Sequence, residues 1–438
     1  MRSNIQRISA VLKGFDSLNT PRSTHAIISD VSMSRSTGFA LLRALVVGGW
    51  LERANHGFLR LGPKAFGLAF GSLDLPQGLG QSSWLVATAR SNRNQAQLPE
   101  LEWDPTLIET VQTEQFQKPG PHRIGFSNAS LSNVWRRAMM QSVKYARYLR
   151  ERQHLKITFR HAQDDPAVQI SQIKELVKGG IDILMVSAIT THDADLSDYL
   201  AELAAGGLPI VAVDRRPKNP VSLVSFITAS DRRIGRISAL WMAEHLKGKG
   251  RIWMLSGRQG TSPAMRRQQE ALAAFAEFPS LLIESISATN WTPESGGNVI
   301  NDCLQKYGNP PDGVWCDSGL QGVGSMQRFF ELGIKIPAHT GGDLNEMYRL
   351  GLQQKVPFVA LDYPASMGAR SVEIALDILG GRPVPRRVEV PVQIVLPRGF
   401  ETENVKADRW AETHVAWDMP NDTILSQGPS LRRIGVRA

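Results

Sequence analysis

Between residues 122 and 398, short apolar runs recur with amphipathic stretches between them, and this alternation limits the chain to a narrow set of folds. The runs are Ile124 to Phe126, Ile157 to Phe159, Ile181 to Val186, Leu208 to Val213, Val224 to Ile227, Ile252 to Leu255, Leu281 to Ile286, Val314 to Cys316 and Val359 to Leu361. Helical patterns such as 133–152, 167–178 and 232–246 separate them. Strands that alternate with helices imply an α/β fold with parallel sheets covered on both faces. About 270 residues of this texture fit two doubly wound lobes better than one. In open sheets of this kind a ligand sits beyond the carboxyl ends of the strands.

Those ends are polar. Ser127 follows the first run, Asp214-Arg215 the fourth, Asp317-Ser318 the eighth and Asp362 the last, while Asp343 follows a further helix and strand unit. A single Asp after a strand is commonly a helix cap. Five converging ends suggest a site, because carboxylates and arginines make forked pairs that match vicinal hydroxyls. Aromatic faces cover the apolar side of a sugar ring, and Trp135 and Trp291 are placed to do so, with ordinary core as the alternative for each.

The stretch from about 122 to 400 resembles the ribose-binding-protein and LacI-type fold, called type I periplasmic-binding-like. The resemblance lies in Ser130-Leu131-Ser132-Asn133-Val134-Trp135, in Gln163-Asp164-Asp165-Pro166 with Gln169 and Gly180-Ile181-Asp182, and in Pro209-Ile210-Val211-Ala212-Val213-Asp214-Arg215. It continues in Ser230-Asp231, Gly257, Gly260-Thr261-Ser262 with Arg267, and Gly341-Gly342-Asp343. It implies a two-lobed, sugar-binding-like effector domain with Asn133, Trp135, Asp214, Arg215, Arg267, Trp291, Asp343 and Asp362 facing the ligand. Ser127, Arg136 and Ser318 complete the candidate set. Three positions depart from the pattern: Arg136 stands where many sugar-binding relatives carry an aromatic, Ser318-Gly319 where Asn-Asp is frequent, and Asp362 where Gln is familiar. Arg136 could pair with an acidic sugar or a sugar phosphate, or point to solvent.

The first 70 residues have a different texture. The chain carries a formal net charge of +9, and here nine Lys/Arg stand against three acids. Such a focused field favours a polyanion. Ile5, Ile8, Val11, Leu12 and Phe15 have helical spacing, a second helix runs from Ser23 to Asp30, and Ser34 can cap a third that ends at Gly48-Gly49. Residues 50–53 and 58–61 around Asn55-His56-Gly57 read as a hairpin. The block resembles the IclR-type winged helix-turn-helix in Ser34-Arg35-Ser36-Thr37, Leu41-Leu42-Arg43-Ala44-Leu45, Gly49-Trp50-Leu51-Glu52-Arg53 and Phe58-Leu59-Arg60-Leu61-Gly62-Pro63. The resemblance implies a dimer on double-stranded DNA. Ser34, Arg35, Ser36, Thr37 and Arg43 would lie on the reading helix, with His56 and Arg60 near the wing.

Residues 71–121, with three bases against six acids and many Pro and Gly, read as a linker with one short helix near Leu107 to Val111. Residues 401–438 read as a polar tail whose Trp410 and Trp417 suggest docking onto the protein's own surface or a neighbour. Cys303 and Cys316 alone are too few for a disulfide framework or a thiolate zinc site. No run of about 20 apolar residues spans a bilayer and no secretory apolar segment opens the chain, so a cytoplasmic location without membrane contact is expected. Gly257-Arg258-Gln259-Gly260 and Gly322-Val323-Gly324 are incomplete dinucleotide fingerprints, and the histidines show no metal spacing. The expectation is a non-enzyme without cofactor: a homodimeric transcription regulator switched by a sugar-like effector. The alternative is a solute receptor for transport or chemotaxis with no DNA role.

Overall fold

The computed structural model describes residues 8, 11, 15, 22–31, 34–47, 50–53, 58–61, 109–150, 155–190, 196–220 and 222–433. The chain divides into two compact units, Met1–Leu101 and Glu102–Ala438.

In the first unit, β1 (Arg22–Ser23), α1 (Thr24–Asp30), α2 (Arg35–Val47), β2 (Leu51–Arg53) and β3 (Phe58–Leu61) follow in order. The strands form an antiparallel sheet in the order β1-β3-β2. Ser23 caps α1 by accepting from the Ala26 N–H at 3.1 Å, and Ser34 caps α2 by accepting from the Thr37 N–H at 3.3 Å. A Cβ on Gly38 would lie 2.6 Å from Ile28, so the two helices pack at that glycine. Ile27, Ile28, Leu42, Leu45, Leu51 and Leu59 form the core. That stripe leaves Ser34, Arg35, Ser36, Thr37 and Arg43 exposed, and Arg60 falls on β3. Most of the first expected helix, Gly48-Gly49 and His56 lie outside the described residues.

The second unit is two α/β lobes. After β4 (Thr110–Val111), lobe 1 contains β5 (Arg123–Asn128), α3 (Val134–Tyr148), β6 (Lys156–His161), α4 (Pro166–Lys178), β7 (Ile183–Val186), α5 (Ser197–Ala205), β8 (Ile210–Val213) and β9 (Ser225–Thr228). Lobe 2 contains α6 (Asp231–His245), β10 (Lys249–Ser256), α7 (Ser262–Phe275), β11 (Ser280–Ala288), α8 (Pro293–Tyr307), β12 (Gly313–Cys316), α9 (Gly319–Glu331), β13 (Ala338–Gly341), α10 (Asn345–Gln353) and β14 (Phe358–Asp362). The chain returns to lobe 1 for α11 (Met367–Leu379), β15 (Val384–Pro385) and β16 (Arg387–Glu389), then to lobe 2 for β17 (Gln393–Leu396), β18 (Arg409–Trp410) and α12 (Ala411–His414).

The lobe 1 sheet has the order β16-β9-β8-β7-β5-β6 and is parallel throughout. The lobe 2 sheet, β11-β10-β12-β13-β14-β17-β18, is parallel except where β17 runs against β14. Strands such as Ile183–Val186 and Ile210–Val213 are buried at every residue, as helices on both faces require. Three crossings, near 229–231, 362–367 and 389–393, join the lobes, so the carboxyl ends of both sheets face one cleft.

One expectation needs correction. Thr110–Val111 is a strand paired antiparallel with β15, not a helix, because its backbone finds partners on an edge of the second unit. β13 is the strand of the further helix and strand unit expected before Asp343, although Ala338-His339-Thr340-Gly341 has no apolar run; its His339 and Thr340 are fully buried. The residues after 400, read as a polar tail, lie on the protein's own surface. Arg409–Trp410 extend the lobe 2 sheet, and Leu425–Arg433 continue as 3-10 turns broken at Gly428.

Candidate functional site

Asn133, Trp135, Arg136 and Asp214 from lobe 1 meet Pro263, Arg267, Trp291, Ser318, Leu320 and Asp343 from lobe 2 around Tyr363, which lies on the middle crossing. These side chains leave about 30 Å³ of free space between them. Pockets that hold small ligands run from roughly 300 Å³ upward, so the lobes must part to admit one.

On lobe 1, Asn133 caps α3 by accepting from the Arg136 N–H at 2.9 Å. That turn aims Arg136 across the strand ends. Its guanidinium donates to Asp214 at 2.8 Å, to Asn128 at 2.8 Å and to Ser187 at 3.3 Å. Arg136 therefore faces neither solvent nor an unmet anion. Asp214 also accepts from the Tyr363 hydroxyl at 3.2 Å.

On lobe 2, Arg267 donates to Asp231 at 2.7 Å and to the Asp317 carbonyl at 3.0 Å, and lies 4.2 Å over the Tyr363 ring. Burial alone would weaken its hold on the proton, but the Asp231 and Asp317 carboxylates outweigh it and raise its pKa. Burial outweighs Arg267 at Asp231, whose carboxyl is pushed up to about 6. Asp317, also raised by burial, accepts from the Trp291 indole at 3.0 Å and the Gly257 N–H at 3.1 Å. A Cβ on Gly257 would lie 2.0–2.2 Å from three atoms of the Trp291 ring, so glycine lets the indole seat against the backbone. Ser318 caps α9.

Asp343 differs from its neighbours. Its Oδ1 is buried without a hydrogen-bond partner, and burial followed by the nearby Asp362 pushes its carboxyl well above the usual carboxylate range. Asp214, Trp291 and Asp343 also share left-handed backbone, with φ of 66°, 55° and 70°. Such conformations cost energy in non-glycine residues and gather at functional sites.

Three expected residues lie outside this lining. Ser127 is fully buried inside lobe 1, where it accepts from Gln169 at 3.1 Å. Arg215 turns to Asp164 at 3.2 Å and lies 5.7 Å from the Trp291 ring centre. Burial and the nearby Arg136 lower its pKa to about 9. Arg258 of lobe 2 meets the same Asp164 at 2.7 Å, which ties the lobes together at the cleft mouth. Asp362 faces away from the cleft, accepting from the Asp343 N–H, the Tyr348 hydroxyl and His414. Burial would raise its pKa, but His414 and these hydrogen bonds hold it below the usual value. Alternation along the strand end explains the exchange: with Asp362 turned away, its successor Tyr363 enters the cleft. Tyr363 carried no strand-end signal in the sequence, since it lies one residue beyond the Asp that closes the last run.

Residues 124–383 match the family described as a periplasmic binding protein domain. The chain belongs to that family. A xylitol-binding protein of Mycolicibacterium smegmatis is 25% identical over 180 residues, which cover 41% of this chain and about half (51%) of that protein's length. The ribose import binding protein of Bacillus subtilis is 23% identical over 275 residues, 62% of this chain and 86% of that protein. A solute binding protein of an ABC transporter from Bacillus halodurans, solved with bound myo-inositol, superposes with a TM-score of 0.59 at 19% identity, covering 65% of this chain and 97% of that one. The periplasmic-binding-protein fold accounts for the three crossings and the facing sheet ends. Among the described residues there is no cluster of three metal-ligating side chains and no helix long and apolar enough to cross a membrane.

Proposed function

We propose that the cleft binds a neutral polyhydroxy molecule, a small sugar or polyol, and that the chain is a receptor for such a solute. The observation that carries this reading is the pairing of charge. Arg136 is matched by Asp214, Arg267 by Asp231, and Arg215 and Arg258 share Asp164. A sugar acid or phosphate would find no spare cation among these groups. Hydroxyls can share forked pairs of this kind and can meet the one Asp343 carboxyl oxygen that has no partner. The ligands named for the relatives, xylitol, ribose and myo-inositol, favour the same class. No catalytic role is assigned to these carboxylates. A thermal-shift screen of the full chain against pentoses, hexoses, polyols, sugar acids and sugar phosphates tests the reading. Neutral members should raise the melting temperature, by an amount equivalent to about 2.7 kcal/mol at a hundredfold excess over Kd. A response to phosphates or acids alone would overturn it.

The solute-receptor role needs no DNA. A second reading, that the receptor is also an IclR-type, DNA-binding transcription regulator, is favoured by the first unit. What supports it is an order of β1, two helices and a hairpin that a winged helix-turn-helix could have, with exposed Arg35 and Arg43 on α2. In this reading residues 1–70 bind DNA through Ser34, Arg35, Ser36, Thr37, Arg43, His56 and Arg60. Residues 71–121 link them to the cleft domain, and a homodimer acts in the cytoplasm. Fluorescence anisotropy with duplex DNA at rising salt checks it: affinity should fall steeply with salt, and more steeply for the parent chain than for Arg35→Ala. No binding at low salt would leave the solute receptor alone.

A further inference from the structure

The segment from Arg409 to Arg433, beyond the residues matched by the family, is hydrogen-bonded to lobe 2 and to the middle crossing and packs against lobe 1. Its grip on lobe 2 centres on α10. Asn345 donates to the Ala416 carbonyl at 2.8 Å and accepts from the Ala416 N–H at 3.0 Å, while the Asn345 and Glu346 N–H groups donate to Thr423 and Asn421 at 2.9 and 3.0 Å. His414 reaches the buried Asp362 at 2.7 Å, and the Leu425 N–H donates to the Asp343 carbonyl at 2.8 Å. The segment then meets the middle crossing. The Ser426 hydroxyl donates to the Tyr363 carbonyl at 2.9 Å and accepts from the Ala365 N–H at 3.3 Å, and the Ser366 N–H donates to the Ser426 carbonyl. Finally Leu425–Arg433 packs on α3, the lobe 1 helix that carries Trp135 and Arg136.

Movement of the lobes must be absorbed by backbone rotation in a few residues of the crossings. Residues 363–366 are such residues, and the same short stretch of chain ties them to both moving bodies.

We propose that residues 409–433 form a strap that sets the balance between closed and parted lobes, with Ser426 holding the crossing and His414 positioning Asp343 through Asp362. Among the described residues, no strap residue lines the cleft, and the strap reaches it through Ser426, whose hydroxyl also bonds the Asp343 carboxyl. A ligand must pull the lobes together only as far as the strap has not already done so, and this links strap docking to affinity. The strap bears on the solute-receptor reading, but its test needs no ligand.

Val168 on α4 and Met265 on α7 are exposed on opposite lobes, and both native cysteines are buried, so Val168→Cys and Met265→Cys accept spin labels selectively in the full chain. Pulsed electron resonance then reads the interlobe distance. Ser426→Ala, which removes one hydroxyl, and His414→Ala should each populate a second distance, shifting the ratio of the two arrangements about tenfold. His414→Gln keeps a donor at the Nε2 position and should restore the parent distribution, an outcome that simple loss of packing does not give. Hydrogen exchange at residues 363–366 should quicken in Ser426→Ala and not in His414→Gln. Unchanged distances and exchange in both alanine variants would overturn the strap, whatever the sugar screen returns.

Discussion

The two sides of the cleft solve the burial of a carboxylate in opposite ways. On lobe 1, Asp214 is met at 2.8 Å by Arg136 and at 3.2 Å by Tyr363, and every partner is supplied by the protein. On lobe 2, Asp343 keeps one oxygen without a partner, and its charge is suppressed by burial and by the nearby Asp362. The contrast teaches a division of labour. Asp214 belongs to a fixed wall, while Asp343 keeps an oxygen free to meet a hydroxyl.

The largest effect expected from this contrast is on stability. Arg136→Ala should cost about 3–5 kcal/mol in urea unfolding, because it strands a buried charge, and an Arg136→Met, Asp214→Leu double variant should recover most of that. A loss below about 1 kcal/mol would mean that water already reaches the pair. Gly257→Ala comes next. Its methyl group would strike the Trp291 ring, costing about 1–3 kcal/mol of overpacking, and the change in near-ultraviolet dichroism should report the displaced indole.

Acidity sharpens the comparison within lobe 2. Folded Asp231 takes up its proton at about 6 rather than the usual 3.8, so its contribution to stability grows as pH falls from 6 towards 4. Buried His339 refuses its proton until about 4 rather than 6.5, so its contribution is lost as pH falls through 6.5 towards 4. The two oppose each other between pH 4 and 6. His339→Gln should therefore reveal a rising limb, and Asp231→Asn a falling one, each with a slope of up to about 1.4 kcal/mol per pH unit. Equal pH profiles in the two variants would refute both assignments. The smallest effect belongs to Asp343→Asn, which mimics a protonated acid and should change stability by less than about 1 kcal/mol. A loss as large as that of Arg136→Ala would erase the contrast between the two sides.

How much of this was legible in the sequence depended on the range of the interaction. The parallel α/β pattern was, because strands such as Ile183–Val186 are buried on both faces and must be apolar throughout. Asp214 and Asp343 were legible because strand ends face the crevice. Asp362 and Ser127 obeyed the same rule of position yet turned elsewhere, since one step along a strand changes the face. Arg136 was visible as a departure, but its partner Asp214 lies 78 residues away, which only folding brings to 2.8 Å. Trp410 and Trp417 hinted at docking, but the particular partners of His414 and Ser426 had no local signature, because they are a carboxylate and a carbonyl on distant strands and crossings.

The account is tested most directly by isothermal titration of the parent chain and Asp343→Ala with the neutral sugar or polyol that gives the largest thermal shift. One molecule should bind per chain, and the loss of the Asp343 carboxyl should weaken binding by about a hundredfold or more. Equal affinity in the two proteins would contradict the claim that this cleft, and this side of it, holds the ligand.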